Sequence, residues 1–209
     1  MDKRADNLIK NWQKRNIRGL YCDNKEQAAD KALEIIPLSA SVGISGSVTL
    51  NQLGIVRMLE SRGNKVFNQY KAGISQDENL RLRREGAGAD YYLTSANAIS
   101  EKGELVFFSG YGNRIAGISY AKNVIVAAGI NKITTNLDEA IKRAREYATP
   151  LNCKRLNNWN TPCLKDGICR QEICFSPEYK RMCCQILIIE AEVILDRLKV
   201  ILVGENLGF

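Results

Sequence analysis

The turn Gly43-Ile44-Ser45-Gly46-Ser47-Val48-Thr49 follows a short apolar run from Ser41 and opens a stretch, Thr49 to Arg62, with Leu50, Leu53, Val56 and Leu59 at helical spacing. Small residues let a ligand come close to the backbone. The first turn of a helix adds unpaired N–H groups and a partial positive charge, which suit phosphate or carboxylate. Ser45, Ser47 and Thr49 contribute hydroxyls. The same residues also suit a tight strand-to-helix turn with Ser47 or Thr49 as N-cap. The turn has neither the Walker lysine nor the GxGxxG spacing.

A second candidate is Gly110-Tyr111-Gly112-Asn113-Arg114. The glycines let the chain bend, and Arg114 then falls where a short helix, Ile115 to Tyr120, begins. A cation there opposes the helix dipole by some tenths of a kcal/mol. An anionic partner gripped by the planar guanidinium would resolve the conflict.

Seven cysteines and no histidine set the rest of the chemistry. Without histidine there is no Ser-His-Asp triad, no Cys-His dyad and no His-ligated zinc. Six of the cysteines follow the pattern C-x9-C-x5-C-x4-C-x8-CC from Cys153 to Cys184, with no CxxC. Lys165, Arg170, Lys180 and Arg181 would favour thiolates there. Metal binding, redox-active thiols and buried structural cysteines all remain open readings, whereas structural disulfides do not suit a cytoplasmic chain.

The elements that must position these residues alternate. Asp6–Lys14, Glu26–Ile36, Thr49–Arg62, Asp77–Gly86 and Leu137–Tyr147 read as helices, the last ending before Pro150. Ser41–Ile44, Lys65–Asn68, Asp90–Thr94, Glu104–Phe108 and Asn123–Ala128 read as strands. Gln185–Glu190 and Lys199–Val203 are β-rich runs that return to the sheet. This predicts an α/β fold in three layers around a mainly parallel sheet. One domain over 1–209 is expected: an α/β core to 150, a Cys-rich insertion over 151–184, and returning strands over 185–209. With 45% hydrophobic residues among 209, the chain can fill one core and is too apolar for a disordered tail.

The net charge of +7 is concentrated, with nine basic and four acidic side chains between 142 and 183. No aromatic interleaving or recognition-helix pattern accompanies it, so nucleic acid is not the expected partner. No apolar run approaches the roughly 18 residues of a membrane span, and the first residues lack the apolar centre of a signal peptide. A cytoplasmic homo-oligomer is expected.

The stretches VGISGSVTLNQLGI, ADYYLTSANAISEKGELV, SGYGNRIAGI and TPCLKDGICRQEIC with its following SP and RMC resemble the lactate-utilisation (LUD) domain family, in order and from about Leu8 to Val203. The resemblance implies a fold of the ribose-phosphate isomerase, glucosamine-phosphate deaminase and CoA-transferase type. It implies an anion turn at Ser45, Gly46, Ser47 and Thr49, polar site positions at Asn97, Asn113 and Arg114, and an active-site border between Asn97 and Gly103. It also implies that Cys163, Cys169, Cys174 and Cys183 converge to hold zinc or an iron-sulfur cluster. The implied function is lactate or related 2-hydroxy-acid metabolism on a small carboxylate or phosphate ligand, beside iron-sulfur and electron-transfer partner proteins. A non-catalytic module that binds a regulatory anion is the other reading. A CoA-transferase needs a carboxylate nucleophile, but Glu101 and Glu104 stand at a turn and a strand start. An isomerase needs a carboxylate base, for which Asp90 is available unless it caps a strand. Neither activity is transferred.

Overall fold

The computed structural model describes residues 3–156, 160–170 and 172–209. In chain order these form α1 (Lys3–Lys14), β1 (Arg18–Cys22), α2 (Lys25–Ile35), β2 (Val42–Ile44), α3 (Val48–Leu53), α4 (Ile55–Arg62), β3 (Val66–Phe67) and α5 (Gln76–Ala87). Next come β4 (Tyr91–Thr94), β5 (Ala98–Ser100), β6 (Leu105–Ser109), α6 (Asn113–Tyr120), β7 (Asn123–Gly129) and β8 (Ile133–Thr134). The chain closes with α7 (Leu137–Arg143), α8 (Thr149–Leu156), α9 (Cys163–Asp166), β9 (Gln185–Ile189) and β10 (Leu198–Val203).

Six strands form one parallel sheet in the order β1-β10-β7-β4-β2-β3. Its central strands are apolar on both faces, as a sheet covered on two sides requires. Val124, Val126, Ala128, Val200 and Leu202 point to a core shared with Leu8 and Trp12 of α1 and Ile118 of α6. The alternate residues Ile125, Ala127, Ile201 and Val203 face Ala28 and Ala32 of α2, Leu50 of α3 and Leu59 of α4. This period of two is what a strand dictates, and it gives the α/β layers expected of the sequence. A second, mixed sheet, β8-β5-β6-β9, packs Ile99, Leu105 and Phe107 into the first core. Its other face meets Ala140 of α7. The two late strands separate, β9 pairing with β6 and β10 inserting between β1 and β7.

Several elements differ from the expected ones. The helix expected over Thr49–Arg62 breaks at Gly54, whose φ of +66° suits glycine and ends α3. The helix expected to stop before Pro150 runs on through it. A π turn over Ala144–Ala148 shifts the hydrogen-bond register, so Pro150 enters in the first turn of α8, where its missing N–H costs nothing. The position 150/151 therefore lies inside a helix. β1, β5 and β8 are too short for periodicity to announce them. Among the described residues no helix is long and apolar enough to cross a membrane.

Candidate functional site

All strands of the parallel sheet end on one side, and there β2, β4 and β7 deliver Ser45–Thr49, Ser95–Asn97 and Ile130–Lys132 to a common cleft. Ligands gather at such carboxyl ends in open α/β sheets because helix starts and loops converge there. The cleft has two connected compartments sharing Gly46 and Arg114. The inner one, about 40 Å³, is lined by Gly46–Thr49, Ser95–Asn97, Arg114, Lys132 and the tail residues Gly208 and Phe209. That is space for one functional group, since a water's share of liquid is roughly 30 Å³. The outer one, about 310 Å³, is bounded by Tyr70, Arg83, Phe108, Tyr111, Asn113 and Arg155 among others.

Each residue of the glycine turn has a definite role. Ser45 is buried, with its hydroxyl 2.8 Å from Thr94 Oγ1. Ser47 is the N-cap of α3, its Oγ accepting from Leu50 N at 3.2 Å. Gly46 lies against Tyr70, where an added Cβ would stand 2.5 Å from the hydroxyl and the ring would have to shift. Thr49 Oγ1 is the inner anchor. It accepts from Ser95 Oγ at 3.2 Å and from Lys132 Nζ at 3.0 Å.

Lys132, absent from the sequence expectations, is the most unusual group of the cleft. It is 3% exposed and donates to Thr49 Oγ1, to Ser95 Oγ at 2.8 Å and to the Ala96 carbonyl at 3.0 Å. All three partners are neutral. Burial, with help from the positive charges of Arg143 and Arg114, pushes its pKa down to about 7. A buried ammonium without a carboxylate is costly, and an anion in the inner compartment would supply the missing charge. The clue in the sequence was a lysine just past a buried strand, at the end where ligands bind.

Arg114 stands at the start of α6 as expected, but protein oxygens already answer part of its conflict with the helix dipole. Nη2 donates to the Gly46 carbonyl at 2.6 Å, and Nη1 to the Phe108 carbonyl and Asn97 Oδ1, both at 3.1 Å. Three of its five N–H groups are thus used, and two remain for a ligand. Asn97 Oδ1 also accepts from Phe108 N at 2.9 Å, tying the β5–β6 hairpin to the site. Asn113 borders the outer compartment, and its carbonyl accepts from the Tyr92 hydroxyl at 3.2 Å. Gly103 lies in the hairpin turn with φ +110°, against Trp12 and Arg15, and does not line the cleft.

The carboxylates considered as catalysts lie elsewhere. Glu101 pairs with Arg4 at 2.7 Å. Glu104 is held by Arg15 at 2.8 Å and by Ser100. Asp90 sits before β4, at the amino end of the sheet, where Ser41 and Lys122 hold its carboxyl below the usual range. It is a strand cap. No aspartate or glutamate lines either compartment among the described residues.

The cysteines form a looser neighbourhood. Cys153 and Cys163 share a buried cluster with Met182, and Cys153 Sγ lies 3.7 Å from Met182 Sδ. Burial raises the thiol pKa of Cys169, Cys174 and Cys183, while a hydrogen bond from Cys153 lowers that of Cys163 to about 6. Among the described residues no three His, Cys, Asp or Glu side chains are grouped to hold a metal ion. Cys163, Cys169, Cys174 and Cys183 nonetheless lie within electrostatic reach of one another along the segment. The described cysteines are free thiols.

Sheet and cleft together define an α/β protein with a basic cleft at its strand ends. The LUD domain family model matches residues 5–203, and the chain belongs to that family. Among solved structures it is similar to ribose 5-phosphate isomerase A from Neisseria gonorrhoeae, at 20% identity and a TM-score of 0.36 over 54% of each chain. Ribose 5-phosphate isomerase from Methanocaldococcus jannaschii matches at 16% identity and a TM-score of 0.37, over 55% of this chain and 56% of that one. The chain thus spans about half the length of these isomerases. A DUF162 family protein from Deinococcus radiodurans matches over 98% of this chain and 100% of its own, at 12% identity and a TM-score of 0.36. No curated protein matches the chain.

Proposed function

We propose that this LUD-family protein binds a small anion, carboxylate or phosphate, in the inner compartment, between Lys132, Arg114 and the hydroxyls of Thr49 and Ser95. One observation carries the reading: Lys132 is a nearly fully buried ammonium whose every partner is neutral, and it lines a cavity of one functional group's size. Family membership supports lactate or a related 2-hydroxy acid as the metabolic setting, and iron-sulfur and electron-transfer proteins are the partners this reading adds. The alternative, a binding or assembly module without chemistry of its own, has its own support. The described cleft lining offers no carboxylate as base or nucleophile.

Calorimetric titration with L-lactate and with inorganic phosphate tests the site. Lys132→Met and Arg114→Ala should each weaken binding by about 1–3 kcal/mol, the scale of a lost hydrogen bond to a charged group. Binding unchanged in both variants, or absent in the wild type for both anions, overturns the reading.

A further inference from the structure

Resting on that reading, we propose that the natural ligand carries a second anionic group, held in the outer compartment by Arg83 and Arg155, and that its class is a short-chain acid bearing a phosphate. The inner compartment, at about 40 Å³, is filled by one carboxylate or phosphate, yet the outer one adds about 310 Å³. A three-carbon monoacid would leave most of that volume to water.

Charge gives a second group its partners, since half-buried Arg83 and exposed Arg155 both face the outer compartment. Arg83 donates from Nε to Asn79 Oδ1 at 2.7 Å, and Arg155 donates from Nε and Nη2 to Asn152 Oδ1 at 3.2 and 2.8 Å. Both guanidinium groups are thus oriented by neutral amides, as Lys132 is oriented mainly by hydroxyls, and among the described residues neither makes an ion pair with a carboxylate. Arg83 keeps four of its five N–H groups and Arg155 three. The Arg83 guanidinium also lies over the Tyr111 ring, 4.5 Å from its centroid, which fixes the plane of its donors. Arg114 lies within electrostatic reach of both Arg155 and Lys132. The cations therefore run from the inner compartment through Arg114 to the outer one. A ligand with one charge neutralises only the inner end of this row.

The test compares D-glycerate with 3-phosphoglycerate, the same acid with and without a phosphate, and adds inorganic phosphate as the isolated group. Titrations use the full chain at fixed ionic strength near 0.15 M, where diffuse surface attraction is damped. 3-Phosphoglycerate should bind at least about tenfold tighter than glycerate or phosphate, a difference of roughly 1.4 kcal/mol. The double variant Arg83→Gln, Arg155→Gln should bring 3-phosphoglycerate down to the affinity of glycerate and leave glycerate itself unchanged. Equal affinities in the wild type, or an equal loss for both compounds in the double variant, overturn the proposal and leave the inner site standing. Failure of all three compounds to bind overturns the inner site as well. Circular dichroism of the double variant separates loss of fold from loss of contact.

Discussion

The two ends of the parallel sheet treat charge in opposite ways. At the amino end most charged groups meet a counterpart, although among the described residues buried Lys199 has only the Asp196 carbonyl. Asp90 before β4 meets Lys122 at 2.9 Å, Arg197 before β10 meets Glu192 at 2.7 Å, and Arg18 at the start of β1 meets Asp196 at 3.4 Å. At the carboxyl end hydroxyls, amides, carbonyls and, for Arg83, the Tyr111 ring hold Lys132, Arg114, Arg83 and Arg155, with no carboxylate among their described partners. Both ends belong to one sheet and share one backbone geometry, so topology alone does not account for the difference. A fold selected only for stability would give buried Lys132 a carboxylate, because an uncompensated buried charge destabilises. On the proposed reading, the carboxyl end keeps its positive charge available to a ligand.

The largest expected effect comes from breaking the paired end. Arg197 is 9% exposed and donates to Glu192 Oε2 and to the carbonyls of Ile118 and Ser119. Arg197→Met leaves a mostly buried carboxylate and two carbonyls without their donor, so unfolding stability should fall by about 3–5 kcal/mol, read from urea denaturation. Affinity for L-lactate should stay within about twofold, since this site lies across the sheet from the cleft. A parallel loss of affinity would show that the two ends are not separate in function.

At the unpaired end the corresponding lever is pH. Lys132 titrates near 7 in the folded protein and at 10.5 ordinarily, so between those values the unfolded chain holds a proton that the folded one lacks. Stability of the ligand-free protein should therefore rise as pH increases from about 7 towards 10, the reverse of a lysine that gains a carboxylate. Anion binding favours the ammonium, so affinity for L-lactate should fall by up to about tenfold per pH unit above 7. Lys132→Met should flatten both profiles. A wild-type affinity that does not change between pH 6 and 9 would mean that Lys132 stays charged throughout, its neutral partners solvating the ammonium as well as water does.

How much of this was legible in the sequence follows from range. Ser45–Thr49 could be read because strand, turn and helix are contiguous, and Ser47 fulfils the capping role that its position between strand and helix suggests. Arg114 could be read from its conflict with the helix start, although Gly46 and Phe108, distant and near, supply acceptors that no local rule reveals. Lys132 escaped because its meaning is set by Thr49 and Ser95, 83 and 37 residues away. The four cysteines show the converse. Nearness in sequence and a basic neighbourhood suggested a metal site, and the thiols do lie within electrostatic reach of one another, but that Cys153 and Cys163 join Met182 in a buried cluster depends on contacts no local pattern shows. Pro150 misled because a π turn, which carries no sequence signature of its own, made room for it.

The smallest expected effect is the sharpest probe of how the compartments join. Gly46 has no positive φ, so alanine meets no backbone strain there, and the obstacle is purely the Tyr70 hydroxyl 2.5 Å from the added Cβ. Tyr70 is 50% exposed and borders only the outer compartment, so its ring can swing towards solvent. Gly46→Ala should therefore cost under about 1 kcal/mol of stability, within the range of a tolerated surface adjustment. The Gly46 carbonyl still accepts from Arg114, so the inner site keeps its geometry and inorganic phosphate should bind about as before. What changes is the wall of the outer compartment, and a ligand that extends into it should bind several-fold more weakly. Titrating the variant with inorganic phosphate and with 3-phosphoglycerate reads the two compartments separately. Equal weakening of both would mean that Tyr70 holds the whole turn in place, making the cleft one rigid unit, whereas loss for the longer compound alone marks Tyr70 as a wall of the outer chamber.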